Sequence, residues 1–405
     1  MKSNIRLGTG IKQYRWGDAQ QVTLLITEEC NLRCRYCYEV DKGPGRVMSR
    51  EVAYRAIDFI LSQPPLRPAI VIEFTGGEAT LEMALVADIT RYVKQSLSRL
   101  RYHPWQTACV FLLSTNGTTY GSEPVQQYLW ENRFQAQAAI TIDGTKEKHD
   151  ANRIFKNGAG SYECVAENVG LWVRQFSNAL TKVTISSADL PYTCDSIIHL
   201  WDLGIKDVAA NVVFEDVWKP NDPQLFEAQL RRLADIALEK GYCATCNTSL
   251  FWIPENVASR RKKEGLLADQ NWCGTGTMVT VDGAGNLYPC IRFMDFALAR
   301  RPGRKVGTIY DGFDQDKLRS YQCLLKSLQS PQECLACDMQ EQCSWCTGYN
   351  YDMADSDTMF QRMTYICEMH KAQVRANQYY WEQLKQKHGV YVSEAAGYKA
   401  RLCAC

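Results

Sequence analysis

The chain reads Cys30-Asn31-Leu32-Arg33-Cys34-Arg35-Tyr36-Cys37 directly after an apolar run at Val22–Ile26. Three thiolates on one short loop are able to hold three irons of a four-iron, four-sulfur (4Fe–4S) cube, which leaves the fourth iron without a protein ligand. A zinc loop or a redox pair of cysteines is the alternative, but zinc sites usually take two matched pairs of ligands that close a tetrahedron. The spacing therefore predicts a cluster with one open iron, where a small molecule is able to chelate.

This stretch also resembles the signature of the radical S-adenosylmethionine (SAM) enzymes, in which an aromatic residue, here Tyr36, precedes the third cysteine. In that family the open iron binds the amino and carboxylate groups of SAM, and an electron from the cluster breaks the C–S bond to release a 5′-deoxyadenosyl radical. The resemblance implies that Cys30, Cys34 and Cys37 ligate a catalytic cluster and that Tyr36 contacts the cofactor. The spacing by itself implies only the open cluster.

The length and the charge of the chain exclude several classes of protein. Its 405 residues include 46 basic and 45 acidic side chains, for a net charge of +1. Because no tail carries one sign of charge, the composition indicates neither nucleic acid nor a membrane surface as a partner. There is no signal-peptide core and no apolar run of membrane-spanning length in the sequence, so we expect a cytoplasmic protein.

The cysteines point to metal binding. In a cytoplasmic protein of this size, 18 cysteines indicate metal ligands rather than a disulfide framework. Three of them lie at 30–37, and eight lie from Cys273 to Cys367 with both ends included. Two cysteine-rich regions are thus separated by an ordinary globular stretch.

Short apolar runs alternate with amphipathic segments between these regions. We predict six strands, at Val22–Ile26, Ile70–Phe74, Val110–Leu113, Ala138–Ile142, Lys182–Ile185 and Val208–Phe214. Strands that alternate with helices indicate an α/β fold with a parallel sheet and right-handed crossovers. Six such units predict a partial (β/α)6 barrel, and the family resemblance implies the same fold.

Changes in composition divide the chain into five regions. They are an N-terminal arm at 1–21, the partial barrel at 22–218, a bridging region at 219–272, a cysteine-rich domain with a β-hairpin and helices at 273–370, and a C-terminal helix and tail at 371–405. Only the short arm precedes the first strand, so we expect no separate leader-binding domain there.

Polar segments follow several of the predicted strands, at the carboxyl edge where α/β barrels carry their chemistry. In radical SAM enzymes a Gly-Gly-Glu motif holds the amino group of SAM, and Gly76-Gly77-Glu78 matches it after the second strand. A tight turn with Glu78 at a helix start is the alternative, since an acidic side chain is favoured there. Asn116 and Asp143 follow the next two strands, and the resemblance places Asn116 among the cofactor-binding residues.

The segment from Thr141 to Arg153 resembles the fourth-strand region of peptide-modifying radical SAM enzymes, with Thr141 where serine is usual. Both residues are candidates for binding the cofactor. An arginine at this place is able to pair with the SAM carboxylate through a charge-assisted contact. A surface arginine is the alternative for Arg153, and we expect His149 to be structural.

The second cysteine-rich region resembles the SPASM domain, which carries auxiliary 4Fe–4S clusters behind a radical SAM barrel. The resemblance assigns an outer cluster to Cys334, Cys337, Cys343 and Cys367, and an inner cluster to Cys273, Cys290 and Cys346. It therefore implies three 4Fe–4S clusters in all, together with SAM. A structural zinc domain is the alternative.

The inner cluster departs from the family pattern. Its fourth ligand is expected about six residues before Cys273, where the chain reads Leu266-Leu267-Ala268. Either Cys243 or Cys246 supplies the missing thiolate, or one iron stays open. An open iron is able to ligate a substrate thiolate, since thiolates are natural ligands of such clusters.

A second departure concerns sulfatase maturation. In the sulfatase-maturing relatives an aspartate follows the hairpin cysteine and takes a proton from the substrate, whereas Ile291 follows Cys290 here. This difference places that activity below other peptide modifications.

The other cysteines have simpler interpretations. Small cysteines in or beside apolar segments usually pack in the core, which we expect of Cys109, Cys164, Cys194 and Cys323. Cys403 and Cys405 are expected to belong to a flexible tail.

These observations favour a radical SAM/SPASM peptide maturase of the thioether-forming sactipeptide or ranthipeptide type. Its expected partners are a ribosomally made precursor peptide with cysteines, a separate leader-binding protein, and flavodoxin or ferredoxin as electron donor. A carbon–carbon crosslink or an epimerisation would use much the same parts. Sulfatase maturation ranks lower, and a non-catalytic iron–sulfur electron-transfer protein ranks last.

Overall fold

The computed structural model describes residues 6–8, 19–39, 46–252, 275–340, 342–343 and 345–390. The strands are β1 Ala19–Thr27, β2 Ala69–Gly76, β3 Cys109–Thr115, β4 Ala136–Ile140, β5 Leu180–Ile185, β6 Asp207–Val212, β7 Asn247–Thr248, β8 Val279–Val281, β9 Asn286–Tyr288, β10 Gly307–Thr308 and β11 Gly312–Phe313.

The helices are α1 Arg50–Ser62, α2 Met83–Arg99, α3 Glu123–Glu131, α4 Lys146–Asn152, α5 Tyr162–Gln175, α6 Thr193–Asp202, α7 Asp222–Glu239, α8 Tyr242–Thr245, α9 Gln315–Gln322, α10 Lys326–Gln329, α11 Gln332–Leu335, α12 Thr347–Met353 and α13 Cys367–His388. None of these helices combines the length and the apolarity that crossing a bilayer requires.

The predicted β/α alternation is confirmed. In the larger sheet β1, β2, β3 and β4 run parallel in that order. All six predicted strands overlap an observed strand. Five of them begin within two residues of it, and the prediction at Val22–Ile26 begins three residues after the start of β1. These strands are apolar because helices cover one face of the parallel sheet.

The barrel wall divides between β4 and β5. Strands β5, β6 and β7 form a separate parallel sheet. The hydroxyl of Thr181 donates to Ile140 O at 2.8 Å, and Ile142 N donates to that hydroxyl at 3.1 Å. A side chain thus takes the place of backbone pairing at this point of the half-barrel.

The predicted hairpin at the start of the cysteine-rich region is β8–β9, and it extends the barrel sheet. Strand β8 pairs in parallel with β1, with Val22 opposite Val279 and Leu24 opposite Val281. The turn is held by Asp282, which accepts hydrogen bonds from Ala284 N at 2.9 Å. Cys290 follows β9, so this pairing brings the cysteine-rich region beside the first barrel strand.

The bridging and C-terminal regions meet where α13 packs on α7. Glu227 on α7 accepts from Arg375 Nε at 2.6 Å and from Arg231 at 2.8 Å. An apolar cluster that includes Leu238, Tyr380 and Trp381 lies between the two helices. The predicted C-terminal helix spans Cys367–His388.

Candidate active site

The loop after β1 carries Cys30, Cys34 and Cys37 and is held against the segment that follows α4. Arg33 N donates to Ile154 O at 2.7 Å, and Arg35 N donates to Asn152 O at 2.9 Å. Within the loop, Cys37 N donates to Cys34 O at 3.1 Å and closes a turn. The loop is therefore positioned by backbone contacts to residues more than a hundred positions along the chain.

The three thiols face a common space. Burial raises the pKa of Cys34, Arg153 lowers it, and the neighbouring Cys37, Cys30 and Asp143 raise it. Cys30 is buried and accepts a long contact from Asn116 Nδ2 at 3.9 Å. Ionising clustered thiols away from water is unfavourable unless a metal compensates for their charge.

A buried polar network joins this loop to the ends of β4 and α4. The hydroxyl of Tyr36 donates to Asp143 Oδ2 and accepts from Arg153 Nη1 at 3.0 Å. Burial raises the pKa of Asp143, but Lys148, Arg153 and His149 lower it, and the result is a pKa below the usual value. Asp143 is thus an ionised carboxylate between two buried cations.

The predicted SAM-carboxylate ligand, Arg153, lies in this network with an unused donor. It is 6% exposed, and its Nε atom has no hydrogen-bond partner among the described residues. Since a buried donor without a partner is unfavourable, an additional acceptor is expected next to it. A carboxylate satisfies that requirement, so Arg153 fits the predicted cofactor.

The Gly-Gly-Glu turn packs against the end of β1. Gly76 has φ +127°, and a Cβ at Gly77 would lie 2.2 Å from Glu29 O. Glu78 is 1% exposed, and its carboxylate accepts from Thr80 N at 3.3 Å, Thr80 Oγ1 at 2.5 Å, Thr115 Oγ1 at 2.7 Å and Asn116 N at 2.7 Å. The carboxylate is occupied by these contacts, and the amides of Gly77 and Glu78 each donate to the end of β1 or the loop after it, to Thr27 O and Glu29 O at 2.8 Å.

Asn116 and Thr141 line the same edge of the sheet. Asn116 Nδ2 donates to Asn31 Oδ1 at 2.7 Å, and its Oδ1 accepts from Thr118 N at 3.0 Å. Thr141 follows β4 and its N donates to Thr115 O at 3.0 Å. The structure therefore brings Asn116 to the cysteine loop and places Thr141 beside the end of β3.

His149 supports the site from behind. Its Nδ1 accepts from Asp143 N at 3.3 Å and its Nε2 contacts Ser161 Oγ at 3.0 Å. Burial, with Arg153, lowers the pKa of His149 to about 4. The ring is therefore neutral and positions the backbone of Asp143.

The four cysteines predicted for the outer cluster lie close together. Cys334, Cys337 and Cys367 face one another, and Cys343 faces Cys334 and Cys367. Arg362 Nη2 lies 2.8 Å from Cys343 Sγ. Burial raises the pKa of Cys343 while Arg362 lowers it, so the cation favours the thiolate form.

We expect Arg362→Met to weaken the outer cluster, because it removes the cation that compensates for buried thiolate charge. Partners of metal ligands are commonly worth about 10–100-fold in metal affinity. Iron content after mild chelation should therefore fall by about one cluster relative to the unchanged chain. Arg319→Met, on the exposed face of α9, is the control, and equal iron loss in both variants would contradict this role.

The cysteines predicted for the inner cluster are only partly described. Cys346 precedes α12, and a Cβ at Gly348 would lie 2.8 Å from Arg292 Cβ. This close approach brings Cys346 to the turn that starts at Cys290. Cys273 and residues 266–268 lie outside the described residues.

Within the described ranges, no three His, Cys, Asp or Glu side chains converge closely enough to hold a single metal ion. The site residues predicted for clusters are therefore spaced more widely than a mononuclear site requires. Cys243 packs in the apolar cluster between α7 and α13, and Cys246 lies in the main core. Cys403 and Cys405 fall outside the described residues.

The remaining cysteines are distributed over the barrel and its surface. Cys109 and Cys194 are buried, as expected of core residues. Cys164 is partly buried, and its Sγ contacts Thr118 O at 3.4 Å. Cys323 is exposed, so the prediction that it packs in the core is wrong, because it caps the exposed end of α9.

Sequence reasoning missed a set of charged residues in the barrel lumen, namely Glu73, Lys182 and Arg292. Glu73 and Arg292 both lie close enough to Lys182 to affect its pKa. Arg292 pairs with Glu215 at 2.7 Å and lies over the ring of Tyr38 at 5.1 Å. The alternation of Lys182 with buried Thr181 and Val183 in an otherwise apolar strand was the available signal.

Comparisons with curated proteins find distant relatives. No protein-family model matches the chain. The serine-type anaerobic sulfatase-maturating enzyme of Bacteroides thetaiotaomicron is 22% identical over 346 residues, which are 78% of this chain and 79% of that enzyme. The cysteine-type enzyme of Clostridium novyi is 28% identical over 151 residues, 35% of this chain and 37% of that enzyme.

An uncharacterized protein of Methanocaldococcus jannaschii is 28% identical over 196 residues, 48% of this chain and 63% of that protein. The match thus spans less than two thirds of this relative and of the Clostridium novyi enzyme.

Solved structures share the fold over most of the chain. Native anSMEcpe with bound AdoMet, which is SAM, has a TM-score of 0.68 at 20% identity and covers 91% of this chain and 98% of its own. Streptococcus suis SuiB bound to precursor peptide SuiA has a TM-score of 0.55 at 10% identity and covers 85% and 75%. These likenesses confirm the predicted fold class. The chain is an enzyme with the radical SAM fold, a partial α/β barrel followed by a C-terminal domain.

Proposed function

We propose that the protein is a radical SAM maturase that modifies a residue of a peptide or protein substrate. The observation that carries this proposal is the convergence of three cysteines and the unsatisfied Arg153 donor on one space at the carboxyl edge of the barrel. The relatives support it, because two are sulfatase-maturating enzymes and SuiB was solved with a precursor peptide.

The residues at this edge would hold a 4Fe–4S cluster and SAM. Cys30, Cys34 and Cys37 would ligate the cluster, Arg153 would receive the SAM carboxylate, and Tyr36 would orient Arg153. When bound, these groups supply a 5′-deoxyadenosyl radical that takes a hydrogen atom from substrate. The chain itself contributes the charged groups of the lumen, Glu73, Lys182 and Arg292.

The finer proposal is a thioether crosslink. The carbon would lose a hydrogen atom to the 5′-deoxyadenosyl radical, and the thiol would lose a proton as the C–S bond forms. The one electron left over would pass to the auxiliary clusters that the C-terminal cysteines would hold. The support is the absence of a cysteine at 266–268 in the sequence, which would leave an inner iron available to a substrate thiolate if neither Cys243 nor Cys246 ligates it. The partners proposed with it are a cysteine-containing precursor peptide, a leader-binding protein and flavodoxin or ferredoxin.

Sulfatase maturation is the second candidate, and it ranks higher than the sequence indicated. Two curated relatives carry that activity in their names. The departure at Ile291 still removes the expected proton acceptor. The comparisons therefore do not support placing the thioether product above formylglycine.

Mass spectrometry separates the two products. The reduced holoenzyme is incubated with SAM and with cysteine-containing peptides, one set from precursors encoded near the gene and one set carrying a sulfatase motif. A loss of two hydrogens with a thiol that no longer alkylates indicates a thioether, whereas loss of the sulfur indicates formylglycine. No 5′-deoxyadenosine under strong reduction would overturn the maturase proposal and favour an electron-transfer protein.

We expect Arg153→Gln to weaken SAM binding by about 10–100-fold, because a buried charge-assisted contact to the carboxylate is lost. Equilibrium dialysis with labelled SAM on the cluster-loaded protein measures this directly. Arg174→Gln, in the last turn of α5, is the control. Unchanged affinity in Arg153→Gln would remove Arg153 from the cofactor site.

A further inference from the structure

The barrel lumen contains a lysine that the cofactor site does not use. Lys182 lies on β5 between Thr181 and Val183, which are 0% and 1% exposed. Because side chains alternate along a strand, Lys182 lies on the opposite face of β5 from these two residues, and the nearby charge of Glu73 on β2 identifies that face as the lumen. Its side chain is accessible to water inside the lumen. The protein atoms that surround it still limit its hydration, and this burial lowers the pKa of Lys182.

The charged groups around Lys182 come from separate walls of the lumen. Glu73 lies on β2, Asp143 follows β4, and Arg292 follows the turn at Cys290. The thiol of Cys346 also faces Lys182. The ammonium group therefore lies between the network that holds the first cysteine loop and the predicted inner cluster.

Each of the neighbouring charged groups is already engaged. Glu73 accepts from Gln21 Nε2 at 2.8 Å, Thr23 Oγ1 at 3.2 Å and Ser114 Oγ at 2.6 Å. Arg292 pairs with Glu215 at 2.7 Å, and Asp143 accepts from Tyr36. In this group only the side chain of Lys182 makes no hydrogen bond or ion pair to a described residue.

A substrate that fills the lumen displaces the water around Lys182. An ammonium group that loses water without gaining an anion is strongly disfavoured, and a substrate that brings a carboxylate avoids that penalty. Neutral acceptors compensate less, because hydrogen bonds between two charged groups are about twice as strong as neutral ones. The lumen thus favours substrates that bring a negative charge to Lys182 over neutral ones.

We propose that Lys182 binds a carboxylate of the peptide substrate and so holds the residue beside it between the Cys30–Cys37 loop and Cys346. This inference rests on the proposed maturase function and adds the class of substrate, which is a peptide with an acidic side chain or a C-terminal carboxylate near the modified residue. Lys182 is a specificity-determining residue in this account.

The test measures binding to the SAM-loaded holoenzyme by fluorescence anisotropy, without reductant. The probes are short fluorescent Gly-Ala peptides with one cysteine. One set carries glutamate at each flanking position in turn, a second set carries glutamine there, and a third pair ends in a free carboxylate or an amide. The first two sets report a side-chain carboxylate, and the third pair reports the C-terminus.

At least one acidic probe should bind about tenfold more tightly than its neutral twin, the gain of one charge-assisted contact. Lys182→Met should abolish that preference, and Lys182→Glu should reverse it, so that the neutral twin binds more tightly than the acidic probe. Lys206→Met, an exposed lysine before β6, should keep the wild-type preference.

No preference in any wild-type pair, or a preference that survives in Lys182→Met, would overturn the proposal. Formation of 5′-deoxyadenosine by the same preparations under reduction is measured separately. A protein that cleaves SAM and ignores probe charge refutes only the role of Lys182, whereas one that does not cleave SAM refutes the maturase function.

Discussion

Cys34→Ala is expected to abolish cleavage of SAM, with 5′-deoxyadenosine formation reduced at least about a thousandfold. Changes to groups that merely support metal ligands already cost about 10–100-fold, and this variant removes a ligand. The backbone turn remains possible, since its hydrogen bond runs from Cys37 N to Cys34 O. The loss is therefore a loss of the sulfur atom rather than of the loop.

Product is measured by liquid chromatography after anaerobic incubation with dithionite, alongside iron content. Cys323→Ala is the matched control, because Cys323 is an exposed cysteine outside the predicted ligand sets. Iron should fall by one cluster in Cys34→Ala and stay constant in the control. Activity retained in Cys34→Ala would contradict the cluster assignment.

Asp143→Asn is expected to destabilise the barrel by about 3–5 kcal/mol, the usual cost of removing one partner of a buried ion pair. Asp143 is 0% exposed, and Lys148 and Arg153 are 0% and 6% exposed. Without the carboxylate, both cations stay buried with no anion between them. Guanidinium unfolding followed by tryptophan fluorescence measures the change in the free energy of unfolding.

The effect depends on pH with a definite sign. The folded-state pKa of Asp143 lies below its usual value, so its contribution is fully present above the unfolded pKa and disappears as pH falls through the folded pKa. The difference between wild type and Asp143→Asn should therefore be largest near neutral pH and shrink in strong acid. A difference that grows in acid would contradict the ionised carboxylate.

Asp195→Asn is the control for this variant. Asp195 pairs with Arg232 at 2.7 Å, but the two side chains are 53% and 50% exposed. Exposed pairs contribute at most about 1 kcal/mol. Comparable losses of unfolding free energy in both variants would show that the contribution of Asp143 to stability does not depend on its burial.

The sequence predicted the barrel well because a buried parallel sheet needs continuous apolar strands, and those runs are visible without the structure. It also predicted which loops share an edge. It did not predict the break between β4 and β5, because the bond from Thr181 to Ile140 depends on geometry between distant segments. For the same reason the pairing of β8 with β1 was not foreseen.

At the site, residue types were easier to predict than their contacts. The cysteine motif is local, so its three thiols could be named from spacing. The role of Glu78 in joining Thr80, Thr115 and Asn116 could not, since nothing in its motif reports partners on another strand. The contact of Tyr36 with Asp143 spans 107 positions and has no local signal.

The central claim is that Cys30, Cys34 and Cys37 anchor a cluster whose remaining iron binds SAM. Pulsed electron–nuclear double resonance tests it most directly, using SAM labelled at its amino nitrogen and carboxylate oxygen and a variant with Cys290, Cys334 and Cys343 changed to alanine to remove the auxiliary clusters. We predict that the reduced cluster shows hyperfine coupling to both labels. A cluster signal that shows coupling to neither label and does not change when SAM is added would contradict the account.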